Sequence, residues 1–158
     1  MKARMPIDTD RKREHMFWNT CLPARVVFAL TATAAEVYDV RFLALAMATY
    51  LGLWGVFMLR NFVRGRTAPS LRERSAQAKG AEKAALEKQL YEIEHGNFGG
   101  RVWWQPHRAV HGTLLVVYAA LTYASVPYAF VAALIDVGYA IVVGVLYYRV
   151  GLTSCRLA

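Results

Sequence analysis

A long apolar run in the second half of the chain constrains the fold most. Between Gly112 and Tyr148 the only formally charged residue is Asp136. At a helical rise of ~1.5 Å per residue, this run is much longer than the ~20 residues that one bilayer crossing needs. Pro127 lies near its middle, and proline removes a backbone donor and biases the preceding residue away from helix. The sequence therefore predicts two membrane helices, roughly 108–125 and 127–149, joined by a tight turn.

The first half contains one clear membrane segment and one shorter one. Residues 42–59 are uncharged and lie between Arg41 and Arg60, which predicts a helix over 41–63. The segment 24–40 has an apolar core of only about half a span, so it either crosses, with Arg25 snorkelling at its edge, or lies as a re-entrant or interfacial helix. Both halves show aromatic residues, an arginine and two apolar segments in the same order, which indicates an internal repeat and favours crossing.

The predicted fold class is an all-α integral membrane protein of two tandem transmembrane helical hairpins, four helices in total, with an aqueous connector helix. Ser70 and Glu73 form a capping-box pattern that predicts the start of the connector helix. A narrow apolar stripe on this helix faces either a partner or headgroups, or the helix is simply solvated. The predicted organisation is a basic N-terminal tail (1–17), a first hairpin (18–63), a charged connector (64–100, helix about 70–95), a second hairpin (101–149) and a C-terminal tail (150–158).

The charge distribution predicts the orientation and the partners. The formal net charge is +8, and the cations concentrate in the tails and the connector. The opposite side carries only Glu36, Asp39 and Arg41, so the positive-inside rule predicts a cytoplasmic N-terminus, connector and C-terminus. In a chain that is 56% hydrophobic, attraction to a lipid bilayer with anionic headgroups explains the excess cations, and we expect no nucleic acid partner.

Small residues recur at four-residue spacing on two of the predicted helices, which allows close helix packing in a membrane. A carboxylate at the depth of Asp136 is costly unless it is protonated or hydrogen-bonded. We interpret Asp136 as a polar contact to a facing hydroxyl such as Tyr118, Thr113 or Thr49, with a proton or ion relay as the alternative. The predicted packing seam comprises Ala44, Ala48, Gly52, Ala132, Asp136, Ala140 and Gly144.

A patch at the start of the second hairpin is the main candidate contact site. It comprises Trp103, Trp104, Arg108 and His111, which contact a partner or headgroups in one interpretation and form an ordinary aromatic belt with a snorkelling arginine in the other. His107 and His111 share a helix face, but a third metal ligand is not evident, so we expect no metal and no cofactor. The sequence contains no phosphate loop, nucleophile elbow or paired catalytic carboxylates, and we expect no enzyme activity.

The string Val102-Trp103-Trp104-x-x-x-Arg108-x-x-His111-Gly112, followed by an apolar hairpin, resembles a pattern in small multi-span membrane proteins of nucleocytoplasmic large DNA viruses. The resemblance covers about residues 98–124. It departs from that pattern at Pro106-His107, where a leucine is expected just before the arginine. The resemblance implies a protein of the virion inner membrane, of the minor capsid type, and it implies no catalytic residue.

These observations predict a structural multi-span membrane protein that anchors or organises a partner assembly through its basic side. The partners would be capsid proteins in a virion inner membrane. Two alternatives remain open: an accessory membrane subunit of an organellar respiratory complex, with other complex subunits as partners, and a small proton or ion transporter centred on Asp136.

Overall fold

The computed structural model describes residues 14–95 and 106–149, and the regular structure in these ranges is entirely helical. The predicted all-α class is therefore confirmed for this part of the chain. The first helix contains a π-helical turn at Phe17–Cys21. The helices are α1 (Glu14–Val37), α2 (Arg41–Arg66), α3 (Ala68–Gln77), α4 (Gly80–His95), α5 (Arg108–Tyr123) and α6 (Phe130–Tyr148).

Three of these helices, α1, α2 and α6, are long and apolar enough to cross a membrane. Helix α1 has 24 residues because the polar positions before Leu22 are also helical, so its apolar part is the second portion of a longer helix. Helix α5 has 16 residues, a length of ~24 Å at the usual rise, and is not among the three.

Helices α1, α2, α5 and α6 pack side by side, each against two of the others. The most extensive contact joins α2 to α5, and the next joins α1 to α6. Each of these two pairs is antiparallel. The ring of Phe17, at the start of α1, packs on Gly144 near the end of α6. The Thr49 hydroxyl in α2 lies 2.6 Å from the Tyr123 hydroxyl at the end of α5. The starts of α1 and α5 therefore lie at the same end of the bundle as the ends of α2 and α6.

Glycines bring α2 and α5 close together. A Cβ on Gly112 would lie 2.8 Å from the carbonyl oxygen of Gly55, and a Cβ on Gly55 would lie 2.8 Å from the carbonyl oxygen of Gly112. A Cβ on Gly52 would lie 2.8 Å from that of Ala119. Backbones approach this closely only where side chains are small. Of the predicted seam, Gly52 is partly buried and the rest are buried: Ala44, Ala48, Ala132, Asp136, Ala140 and Gly144.

The turns after α1 and α5 have the same hydrogen-bond pattern. After α1, the amide of Asp39 donates to Glu36 and that of Val40 donates to Ala35. After α5, the amide of Ser125 donates to Thr122 and that of Val126 donates to Leu121. These bonds form a Schellman motif at each helix end. The motif requires a left-handed residue, and Asp39 and Ser125 have φ values of 53° and 55°.

Two side chains join the turns at this end of the bundle. Arg41 donates from Nη2 to the Ser125 hydroxyl over 2.7 Å. The amide of Phe130, the first residue of α6, donates to the Glu36 carboxylate over 3.2 Å. Glu36 therefore caps the start of α6 from the end of α1, because the first amides of a helix lack intrahelical acceptors.

The connector contains two helices, where the sequence predicted one helix over about 70–95. The break falls at Ala78, whose ψ of 156° is extended. The predicted capping box at Ser70 is wrong, because the helix already begins at Ala68 and the Ser70 hydroxyl donates to the carbonyl of Thr67 over 2.9 Å. Leu86 belongs to the predicted apolar stripe, which comprises Leu86, Leu90 and Ile93. It is 6% exposed, so other parts of the chain cover it.

Candidate functional site

The most distinctive group of residues in the bundle is a buried ion pair between α1 and α6. Arg25 lies near the middle of α1 and is 6% exposed, and Asp136 in α6 is 2% exposed. The guanidinium Nη1 donates to Asp136 Oδ2. The prediction that Arg25 snorkels at the end of a span is wrong. Helix α1 starts earlier than expected, so Arg25 lies at mid-helix, where the small residues Ala29 and Ala133 line the same cavity as its side chain.

His111 of α5 completes this group, which we name the central cluster (Arg25, His111 and Asp136). Its Nδ1 lies 2.5 Å from Asp136 Oδ1 and 3.1 Å from Arg25 Nη1. One imidazole nitrogen either donates or accepts, so only one of these contacts is a hydrogen bond. The shorter contact is the hydrogen bond, so the assignment that fits the geometry is a neutral imidazole whose Nδ1–H donates to Asp136 Oδ1. The central cluster then has no net charge, which is the least costly state in an apolar interior.

Helix α2 also contacts the central cluster through Arg25. The guanidinium carbon lies 5.3 Å from the centre of the Trp54 ring, a cation–π contact, and Nη2 lies 4.0 Å from the sulfur of Met58. Trp54 in turn packs edge-on against Phe28. A single guanidinium therefore contacts side chains from α2, α5 and α6.

A second polar contact extends from the central cluster toward the start of α5. The Nδ1 of His107 lies 2.7 Å from the hydroxyl of Tyr139 in α6. The Tyr139 ring packs against His107 and, edge-on, against His111. His107 precedes the first residue of α5.

A small cavity lies beside the central cluster. Arg25 and Asp136 form its polar lining, and apolar side chains including Leu51 and Leu115 close the rest. The centre of a water-sized sphere can occupy about 10 Å³ of it. This is roughly the space that one water molecule needs, and the two charged side chains offer hydrogen-bonding partners.

The structure describes two of the four residues of the predicted contact patch, Arg108 and His111. Arg108 is partly buried at the start of α5, and Trp103 and Trp104 lie outside the described residues. His111 is 7% exposed and contacts Asp136, so it lies in the interior of the bundle. Among residues 14–95 and 106–149, no group of three or more His, Cys, Asp or Glu side chains is placed to hold a metal ion.

The partners of Asp136 differ from those that the sequence suggested. Asp136 lies in a helix seam, but it contacts Arg25 and His111 and not a hydroxyl. Thr49 contacts Tyr123 and its own helix instead. Sequence reasoning missed Arg25 as the partner. The available signal was charge: Arg25 is the one cation in the apolar part of α1, Leu22–Val37, and Asp136 is the one anion in α6.

Comparison of the chain with protein-family models, curated proteins and solved structures found no match in any of the three.

Proposed function

We propose that the chain is a structural membrane protein whose four long helices cross a bilayer as two hairpins and hold a partner assembly on the basic side. The observation that carries this proposal is the position of Arg25, which connects the first hairpin to both helices of the second through Asp136 and His111. A paired, uncharged cluster that joins all four helices suits a rigid scaffold. Breaking a buried ion pair by removing one partner costs about 3–5 kcal/mol.

Helix α5 is the short member of this proposed four-span bundle. Its neighbours support a crossing, because α2 and α6 run antiparallel to it between the same two ends of the bundle. The turn residues Val126 to Ala129 add length at one end, and Pro106 and His107 add length at the other. These additions bring the segment close to the ~30 Å of a hydrocarbon core.

The proposed internal repeat is supported by matching positions in the two hairpins. Arg25 and His111 each lie fourteen residues before the left-handed residue of the following turn, Asp39 or Ser125. Both turns are Schellman motifs with the same bonds. In a tandem repeat, equivalent positions of two like hairpins face each other across the bundle axis, and Arg25 and His111 do so at 3.1 Å.

The partner side of the proposed scaffold is the end of α2 and the connector. The exposed cations Arg64, Arg66, Arg74 and Lys79 follow one another over two helices, with Glu73 as the acid among them. Such a segment attracts anionic headgroups and acidic protein surfaces. With the resemblance described above, the leading context is the inner membrane of a large DNA virus, with capsid proteins as partners. The second context is an organellar respiratory complex, with neighbouring subunits as partners.

Cysteine labelling tests the topology. Gln77 and Tyr128 are both exposed and lie at opposite ends of the bundle. Each is replaced by cysteine, one at a time, in a Cys21→Ser, Cys155→Ser background. A membrane-impermeant maleimide should label Gln77→Cys only from the cytoplasmic side and Tyr128→Cys only from the other. Labelling of both from the same side would refute the four-span scaffold.

Crosslinking tests the partner. Lys79 and Lys83 are exposed amines on the basic side. Amine crosslinking in the native membrane, followed by mass spectrometry, should join these lysines to one protein in fixed stoichiometry. If the crosslinked partner is a capsid protein, the virion context is identified. If it is a respiratory subunit, the organellar context is identified. A chain that crosslinks only to itself would refute the scaffold role.

A further inference from the structure

One face of α2 near the basic end of the bundle is exposed, although it carries large apolar side chains. Leu53, Val56 and Phe57 are each more than half exposed, and the exposed cations Arg60 and Arg64 follow them. Spacings of three and four residues place all five on one side of the helix, which we name the outer face of α2. The glycines that contact α5 lie on another side of α2, so the outer face points away from the bundle.

The two arginines of the outer face have no acidic partner among the residues that the structure describes. They are one helical turn apart, and like charges at this spacing repel each other. Helix α2 contains no aspartate or glutamate. Neither guanidinium makes a hydrogen bond or an ion pair with a described residue, whereas that of Arg66 lies 5.9 Å from the centre of the Phe62 ring. An anion from outside the chain would therefore relieve the repulsion between Arg60 and Arg64.

The length of α2 places this arginine pair at the level of lipid phosphates when the helix crosses a bilayer. The rise from Arg41 to Arg60 is ~28 Å at ~1.5 Å per residue, which is close to the ~30 Å of a hydrocarbon core. Arg64 lies about one turn further along the helix, in the headgroup region. The apolar residues of the outer face then lie beside the acyl chains of the same leaflet.

We propose that the outer face of α2 binds one anionic phospholipid from the leaflet on the basic side. The guanidiniums of Arg60 and Arg64 contact its phosphate, because arginine presents donors in a planar fork that matches phosphate oxygens. One acyl chain lies along Leu53, Val56 and Phe57. A zwitterionic lipid has the same phosphate but adds a cation, which the two arginines repel, so the site prefers an anionic headgroup. This inference rests on the proposed function only in that α2 crosses the bilayer, and it names a lipid partner of the scaffold.

Helix α6, which takes the place of α2 in the second hairpin, has no such arginine pair. Its last residue is Tyr148, and Nη2 of the following Arg149 lies 3.9 Å from the Glu14 carboxylate. A single arginine beside an acid has little charge left for a phosphate. The described part of the chain therefore has this site on α2 and not on α6. Its occupant is a lipid and not an acidic protein, because the apolar residues that precede the arginines are open to acyl chains.

Native mass spectrometry of the purified full-length protein in detergent tests the proposal. The protein is titrated with phosphatidylglycerol and, separately, with phosphatidylcholine of the same acyl chains. The wild type should bind one phosphatidylglycerol about tenfold more tightly than phosphatidylcholine. The variant Arg60→Gln, Arg64→Gln should lower the affinity for phosphatidylglycerol about tenfold or more, since each cation near an anionic headgroup contributes about fivefold. The variant Arg74→Gln, Lys79→Gln removes two exposed cations of the connector, so it is the matched control and should bind like the wild type.

Circular dichroism establishes that each variant is folded. Equal affinity of the wild type for the two lipids overturns the proposal, as does wild-type binding of phosphatidylglycerol by the Arg60 and Arg64 variant. An equal loss in the control variant also overturns it, because the attraction would then be spread over the whole basic side. If the Arg60 and Arg64 variant keeps phosphatidylglycerol but loses the crosslink from Lys83, the arginine pair contacts the protein partner and the lipid proposal is wrong. The labelling and crosslinking experiments decide the scaffold proposal whichever lipid binds.

Discussion

Replacing Arg25 by methionine should destabilise the bundle more than any other single change to a charged residue in its interior. Methionine keeps much of the stem volume but leaves the Asp136 carboxylate, 2% exposed, without its cation. Stranding a buried charge costs about 3–5 kcal/mol. Loss of the contact with Trp54, at 5.3 Å, adds about 1 kcal/mol. We therefore expect Arg25→Met to lower the free energy of unfolding by about 4–6 kcal/mol.

The double variant Arg25→Met, Asp136→Leu separates the ion pair from the volume of its side chains. Asp136→Leu alone strands Arg25 and should also cost about 3–5 kcal/mol. If the two residues acted independently, the free energy of unfolding of the double variant would fall by about 7–11 kcal/mol, the sum of the two single losses. Because it strands no charge, we expect it to lose only about 1–3 kcal/mol, mainly from the hydrogen bond that His111 no longer makes.

Equilibrium unfolding in mixed micelles with increasing SDS, followed by tryptophan fluorescence, measures these losses. Arg41→Met is the matched control. Arg41 is exposed and its guanidinium donates to the Ser125 hydroxyl at the turn, so its replacement should cost about 0–1 kcal/mol. A double variant that is as unstable as the sum of its single variants would refute the argument that Arg25 and Asp136 stabilise the bundle as a pair.

Two further perturbations follow from the packing and the turns. Gly112→Ala should cost about 1–3 kcal/mol in the same unfolding assay, since its Cβ would lie 2.8 Å from the Gly55 carbonyl, whereas Gly138→Ala meets nothing within 4 Å and should be neutral or slightly stabilising. Asp39→Gly should stabilise by up to about 1 kcal/mol, because Asp39 has a φ of 53°, and equal or lower stability would contradict that view of the turn.

The sequence was sufficient for the helical class, because long apolar runs bounded by charges allow few structures other than membrane helices. It also indicated the turn near Pro127 and the small-residue positions between helices. The positions of the helix ends were harder to predict from the sequence. Helix α1 continues through the polar residues before Leu22, which hydropathy alone assigns to an aqueous tail. This early start moves Arg25 from the edge of a span to its middle.

The central cluster could not be predicted from local pattern, because Arg25 and Asp136 are 111 residues apart in the chain. Amphipathic periodicity normally indicates which face of a helix is inward, but α5 and α6 are apolar on most sides. The sequence therefore does not determine which face of α5 points inward. The three-residue spacing of Arg108 and His111 places both in one predicted surface patch. In the structure α5 is rotated so that His107 and His111 both face the bundle.

In the membrane bundle that we propose, two different kinds of contact hold the two hairpins together, and the difference has a physical basis. Lipid tails are as apolar as leucine, so burying apolar side chains gives the helices little reason to prefer each other over lipid. Helices α2 and α5 meet through close backbone contact at Gly55 and Gly112, which depends on shape. Helices α1 and α6 meet at Arg25 and Asp136, which depends on charge. Each hairpin alone would expose one unpaired charge to lipid. Docking of the two hairpins pairs the charges of Arg25 and Asp136, and the contact between Gly55 and Gly112 then fixes the register of the helices.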